Sequence, residues 1–248
     1  YGFTLLRNLQ PTDLENFLSN IGPFYYFASG EEAKIFTVKA IQNPLDLALS
    51  SEGIALKPHV DGSMLAAQPL VQFLYCLENE VLGGTSILVD GFRIAKDFKS
   101  NYPEYFQVLA ETPIQFSYFD PHGKFFQLRS RPVIEINKVA KVVGFCFSHE
   151  KTYPWMLPFD EMENFYEAYL TLFEHVKNPD YQYRFRLNPG DLLLVQNFRI
   201  LHGRTAYDAS TGARELKVGY IGWDFFTAKW RFSKFKNLFS ESEITTEA

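Results

Sequence analysis

Short apolar runs, each closed by a turn signal, recur along most of the 248-residue chain. Val71 to Leu77 is one such buried run, and Ser86 to Val89 follows it after Gly83-Gly84. Pro132–Ile136 and Lys141–Phe147 flank Asn137-Lys138 as a strand pair, and Tyr181–Leu187 precedes the turn Asn188-Pro189-Gly190-Asp191. Leu192–Gln196 and Leu216–Trp223 complete the set of expected strands, with Tyr1 to Leu6 reading as another at the start. Helical spacing occurs in three places. One helix follows a Thr12/Glu15 capping box and stops at Gly22-Pro23; the others span Pro103–Glu111 and Asp160–Val176, with Asp160 as the expected cap. Many short strands with a few helices predict a mainly β fold with flanking helices (α+β), a double sheet of jelly-roll type. Periodicity alone does not separate this from another barrel or sandwich. The 25 Phe and 14 Tyr fit a β-rich fold with a wide aromatic core.

The length suits one domain over residues 1–248, or the catalytic part of a longer chain. Net charge is −5 and no basic run occurs, which argues against a nucleic-acid partner. No apolar stretch approaches the ~20 residues needed to span a bilayer, so no membrane partner is expected. Cys76 and Cys146 each lie in an apolar run and read as buried thiols, which leads to the expectation of a reducing, cytoplasmic setting.

Chemistry enters at His59-Val60-Asp61. On an extended segment, side chains two apart point the same way. A ferrous ion that must bind both a co-substrate and O₂ needs three protein ligands and three open positions, the arrangement of two histidines and one carboxylate. His202, in Asn197-Phe198-Arg199-Ile200-Leu201-His202-Gly203-Arg204, is the best third ligand. The plain alternatives are a loop histidine bonded to Asp61 and a core histidine at 202. Arg214 opens the last expected strand, so it can enter the same cavity and offer a bidentate guanidinium to a dicarboxylate. Thr85 or Ser86 can add a hydroxyl.

Taken together, His59-Val60-Asp61, Gly83-Gly84-Thr85-Ser86, Leu88-Val89-Asp90-Gly91-Phe92, Asn188-Pro189-Gly190-Asp191, Leu201-His202-Gly203-Arg204 and Arg214 through Trp223-Asp224 resemble the taurine/2-oxoglutarate dioxygenase (TauD/TfdA-like) superfamily. Within it they are most like the γ-butyrobetaine and trimethyllysine hydroxylase branch. The resemblance implies a double-stranded β-helix (jelly roll) with Fe(II) on His59, Asp61 and His202. It also implies 2-oxoglutarate and O₂ as co-substrates, with Arg214 and Ser86 on the far carboxylate. The implied reaction oxidises a C–H bond, releases succinate and CO₂, and by its Asp61 favours hydroxylation over halogenation. Desaturation, cyclisation or epimerisation through the same metal chemistry is the second version. A non-catalytic jelly-roll metal-binding module is the reading of another class. Relatives commonly form dimers, so a homodimer is compatible with the resemblance.

The substrate region departs from that branch. Its aromatic cage for trimethylammonium works through cation–π attraction. Tyr220 and Phe36 match two cage positions, whereas the position near Leu49 lacks a ring and the one near Glu32 carries an acid. The branch's Asn-Asn pair reads Ser148-His149. The expected substrate is therefore a small amine- or amino-acid-like metabolite, with Glu32 or Asp46 available to an amine and His149 to a carboxylate or hydroxyl.

Overall fold

The computed structural model describes residues 1–25, 34–40, 53–66, 71–120 and 124–235. Glu32, Asp46 and the position near Leu49 lie outside these residues, as does His122, which the sequence places in an exposed or structural turn. The strands are β1 (Phe3–Leu6), β2 (Phe24–Tyr25), β3 (Ile35–Lys39), β4 (Leu56–His59), β5 (Val71–Asn79), β6 (Leu82–Gly83), β7 (Ser86–Asp90), β8 (Ile114–Asp120), β9 (Phe125–Arg131), β10 (Ile134–Ile136), β11 (Val142–Phe145), β12 (Gln182–Phe185), β13 (Leu192–Gln196), β14 (Ile200–Arg204), β15 (Tyr207–Asp208) and β16 (Arg214–Ile221). The helices are α1 (Leu14–Ile21), α2 (Gly91–Asn101), α3 (Pro103–Glu111), α4 (Phe159–Lys177) and α5 (Trp223–Phe235).

Two antiparallel sheets face each other. The larger runs β1-β13-β5-β16-β2, with β3 also on β16; the smaller runs β12-β7-β14-β4. Because strand side chains alternate, each sheet feeds two cores. Leu88 and Ile200 from the smaller sheet meet Cys76, Leu193, Leu216 and Val218 from the larger one in an inner core. Ile87, Val89 and Leu201 point the other way, into the aromatic core beneath α2, α3 and α4. On the far side of the larger sheet, Val71, Phe73 and Tyr75 pack on Leu14 and Leu18 of α1. This is the mainly β double sheet with outer helices that the strand pattern predicts.

Several local expectations change. No capping box forms at Thr12, because Pro11–Asp13 is a turn of 3₁₀ helix and α1 begins without a side-chain cap. Asp160 does not cap α4 either; Pro158 holds that position and Asp160 lies in the first turn, where its charge still suits the helix dipole. The last strand starts at Arg214 and ends at Ile221, and Trp223 opens α5 instead of closing the strand. The helix α2 and the β8–β9 hairpin were not anticipated. Asp90 builds α2, accepting from the amides of Phe92 and Arg93 at 3.0 and 3.4 Å while pairing with Arg199 at 2.7 Å. The Leu88–Phe92 motif is thus a strand-to-helix joint. Among the described residues, no helix is long and apolar enough to cross a membrane.

Candidate metal centre

The smaller sheet supplies two imidazoles from strands distant in sequence. In β4 and β14, His59 and His202 are directly opposed, with ring centroids 4.4 Å apart. Antiparallel strands come this close only if the intervening side chains allow it, and Gly203 is the residue that allows it. A Cβ there would lie 2.6 Å from the carbonyl oxygen of Leu56 and 2.9 Å from the nitrogen of Pro58.

Asp61 lies just past the end of β4. A reciprocal amide clamp fixes its backbone: the Asp61 N–H donates to Asn197 Oδ1 at 2.9 Å, and Asn197 Nδ2 donates to the Asp61 carbonyl at 2.8 Å. The Val60 N–H donates to the Phe147 carbonyl at 2.9 Å, tying the same turn to the segment after β11. Asp61 Oδ1 then sits 3.4 Å from His59 Nε2, and Oδ2 sits 3.5 Å from His202 Nε2. One ligand atom from each of the three residues lies within 4.8 Å of the others. His59 Nδ1 lies 2.8 Å from the Lys57 carbonyl, which only accepts, so Nδ1 carries a hydrogen, and in the neutral imidazole the Nε2 lone pair faces inward.

Burial disfavours charge on all three groups. At Asp61, the two imidazoles and the Tyr220 phenol outweigh burial and hold the carboxyl well below the usual carboxylate range. At His59, burial is outweighed by the hydrogen bond and charge of Asp61, so the imidazole is raised. His202 is pushed down to about 4 by burial, with His59 adding to the effect against Asp61. Two imidazole nitrogens and one carboxylate, on side chains still 13–24% exposed, converge as a donor set suited to a divalent transition metal with open positions.

Along β16, Arg214, Leu216, Val218 and Tyr220 all turn into the space between the sheets, where Arg214 and Tyr220 are 8% and 6% exposed. Arg214 Nε and Nη1 are buried without a hydrogen-bond partner. Burial pulls its guanidinium below the usual arginine range, against the opposing pull of Tyr207. Such a cation is costly to bury unless an anion joins it. Tyr207 lies against the guanidinium of Arg214 at 5.0 Å and that of Arg204 at 4.5 Å, so one ring aligns two arginines. Ser86 is in register with Arg204, and Thr85 is tied to the same strand end by its amide donating to Thr205 Oγ1 at 2.9 Å. Both hydroxyl residues named for a carboxylate therefore lie at the Arg204 end of β14.

The residues named for a substrate are placed differently. Phe36 and Tyr220 form a pair with centroids 6.2 Å apart. His149 packs on Phe173 and Tyr169, with centroids at 5.3 and 6.0 Å, in the segment leading from β11 to α4. Sequence reasoning missed Gln72, whose Nε2 donates to Asp61 Oδ2 at 2.5 Å and lies 3.1 Å from His202 Nε2. A single amide inside the otherwise apolar run Val71–Leu77 was the available signal. Asn197 was visible only as a member of a motif, and Tyr207 not at all.

Comparison with known proteins agrees with this geometry. The profile of the taurine catabolism dioxygenase TauD, TfdA family matches residues 1–220. Human (Homo sapiens) gamma-butyrobetaine dioxygenase is 31% identical over 176 residues, which is 70% of this chain and 46% of the relative. Bovine (Bos taurus) mitochondrial trimethyllysine dioxygenase is 29% identical over 176 residues, 69% of this chain and 41% of the relative. The chain thus spans less than half the length of these relatives. Among solved structures, an asparagine oxygenase in complex with Fe(II), 3-hydroxyasparagine and succinate superposes with a TM-score of 0.68 at 16% identity, covering 89% of this chain and 74% of that one. The non-heme iron oxygenase OrfP, in complex with Fe and alpha-ketoglutaric acid, gives 0.65 at 18% identity, over 90% and 75%. These neighbours share the fold, and the profile match shows that this chain belongs to the TauD/TfdA dioxygenase family.

Proposed function

We propose that the protein is an Fe(II)- and 2-oxoglutarate-dependent dioxygenase that hydroxylates an sp³ C–H bond of a small amine- or amino-acid-like metabolite. The observation that carries this reading is the pairing, in one interior, of the His59/Asp61/His202 donor set with an arginine whose Nε and Nη1 are buried and unpartnered. His59 Nε2, a carboxylate oxygen of Asp61 and His202 Nε2 would hold the iron. When bound, ferrous iron supplies the site at which oxidative decarboxylation of 2-oxoglutarate to succinate and CO₂ is coupled to C–H oxidation.

The chain's own residues do the positioning. Arg214 takes the far carboxylate of 2-oxoglutarate in a charge-assisted, bidentate contact, with Tyr207 holding the guanidinium in plane and Ser86 or Thr85 beside it. Leu88, Leu216 and Val218 line the neighbouring inner core and keep water out. Phe36 and Tyr220 form an aromatic wall suited to a cationic or amine group, and His149 stands at the β11–α4 side. The curated relatives act, by name, on gamma-butyrobetaine and trimethyllysine, and a structural neighbour is an asparagine oxygenase; all point to nitrogenous metabolites.

Anaerobic addition of Fe(II) and 2-oxoglutarate should produce the weak visible charge-transfer band of a chelated oxoacid. Amines, amino acids and betaines are then screened for stimulated succinate formation, with a product gain of one oxygen for hydroxylation or a loss of two hydrogens for desaturation or cyclisation. Absence of the band in metal-loaded protein would refute the proposal.

A further inference from the structure

Gln72 and Tyr220 are direct cross-strand partners in the β5–β16 ladder. Both turn inward and are almost fully buried. Their polar ends meet at one atom: Gln72 Nε2 donates to Asp61 Oδ2 at 2.5 Å, and Tyr220 Oη donates to the same oxygen at 2.6 Å. Oδ1 is left on the His59 side, 3.4 Å from Nε2. Gly219 makes this possible, because a Cβ there would lie 2.4 Å from Phe73 Cζ and 2.5 Å from the Lys34 carbonyl; β16 can then lie close enough to seat Tyr220.

Packing does not explain Gln72. Its Oε1 is buried without a hydrogen-bond partner, a cost that an apolar residue of the same size would avoid. What the amide gains is its donor side, which reaches Asp61 Oδ2 and His202 Nε2 at once. In this arrangement the N–H group takes the place of a cation, holding the carboxylate and the second imidazole in mutual reach. A cation held by His202 Nε2 would use that lone pair, leaving Gln72 on Asp61 alone.

We infer that Gln72 and Tyr220 are positioning residues that pin Asp61 through Oδ2, so that it meets the metal through Oδ1 only. The inference rests on the iron/2-oxoglutarate reading above. A carboxylate tied in this way cannot swing to grip the metal with both oxygens, so the position needed by a bidentate oxoacid stays open. It also commits the Tyr220 hydroxyl to the metal centre, leaving only its ring for a substrate. Ligand-supporting hydrogen bonds of this kind typically change metal affinity or activity by about 10- to 100-fold.

The test compares chelator-treated wild type with Tyr220→Phe, Gln72→Met and the double variant, using Mn(II) and then 2-oxoglutarate in titration calorimetry. Each single variant should weaken Mn(II) binding about tenfold. At saturating Mn(II), each should also weaken 2-oxoglutarate binding by about tenfold, with the double variant losing more than the product of the two. The 2-oxoglutarate affinity at saturating metal decides the matter, since there the metal itself supports the fold. If it is unchanged in all three variants while the wild type binds normally, the pinning role is overturned. If wild-type protein binds no 2-oxoglutarate with Mn(II) present, the functional reading itself fails.

Discussion

Replacing Gly203 with alanine tests whether the spacing of β4 and β14 governs the metal centre. The added Cβ would lie 2.6 Å from the Leu56 carbonyl oxygen, 2.9 Å from Pro58 N and 3.0 Å from Lys57 C, all backbone atoms of the strand that ends in His59. No side-chain rotation relieves such a contact. Reaching an ordinary 3.4 Å requires β4 to withdraw by 3.4 − 2.6 = 0.8 Å at that point. Overpacking of this kind costs about 1–3 kcal/mol. For a chain of this size each kcal/mol lowers Tm by about 2–4 °C, so a fall of roughly 2–12 °C is expected. The metal is more sensitive than the fold, because ligand distances tolerate only about ±0.2 Å. His59 and His202 are directly opposed across this contact, and Mn(II) affinity should therefore drop by at least roughly tenfold. Differential scanning calorimetry of the metal-free protein gives the first quantity and titration calorimetry the second. A variant with lowered Tm and unchanged Mn(II) affinity would refute the link between strand spacing and site; one with both unchanged would refute the close approach itself.

Two further outcomes follow from the same interior. Arg214→Ala should raise the KM for 2-oxoglutarate roughly 10²-fold, the loss of a bidentate charged pair, as measured by steady-state succinate formation; an unchanged KM would remove Arg214 from the site. In metal-free protein, His202 has a folded-state pKa near 4 against 6.5 for the free side chain. Below 6.5 the unfolded chain takes up a proton that the folded chain refuses, so this contribution is intact above 6.5 and is lost as pH falls towards 4, by up to about 3 kcal/mol. His59 is raised and acts in the opposite sense, its contribution being lost as pH rises through its folded pKa. Urea denaturation of chelator-treated protein at pH 6.5 and pH 4.5 should show the acid loss, and equal stabilities would contradict the buried, neutral state of His202.

Much of this architecture can be read in the residues because strands write their periodicity locally. Turn residues at Asn188–Asp191, with alternating aromatic and basic residues before them and an apolar run after, mark β12 and β13 well. The same locality made His59 and Asp61 visible as a pair, and the Leu-His-Gly-Arg segment drew attention to His202. What stayed hidden depends on which strand faces which. Gln72 is one polar residue in an apolar run, and its meaning appears only when β5 is seen paired with β16. Tyr220 was read as part of a substrate cage, and only its register opposite Gln72 shows the hydroxyl on Asp61. Helix α2 is hard to read in the sequence because its buried side, Ile94, Ala95 and Phe98, is short and its start coincides with the Leu88–Phe92 motif. In the β8–β9 hairpin Ile114 and Phe116 are buried near one end, but Phe119, Phe126 and Leu128 are exposed, so the inside–outside alternation by which strands are recognised does not persist along it.

The opposition of β4 and β14 also sets when the metal centre can come into being. His59 and His202 are 202 − 59 = 143 residues apart, yet they are neighbours in a sheet. Contacts of such long sequence separation are entropically expensive and form slowly. A metal ion that needs both imidazoles would therefore find no complete site on a nascent or partly folded chain, and its capture would be a late event that reports arrival at the native state.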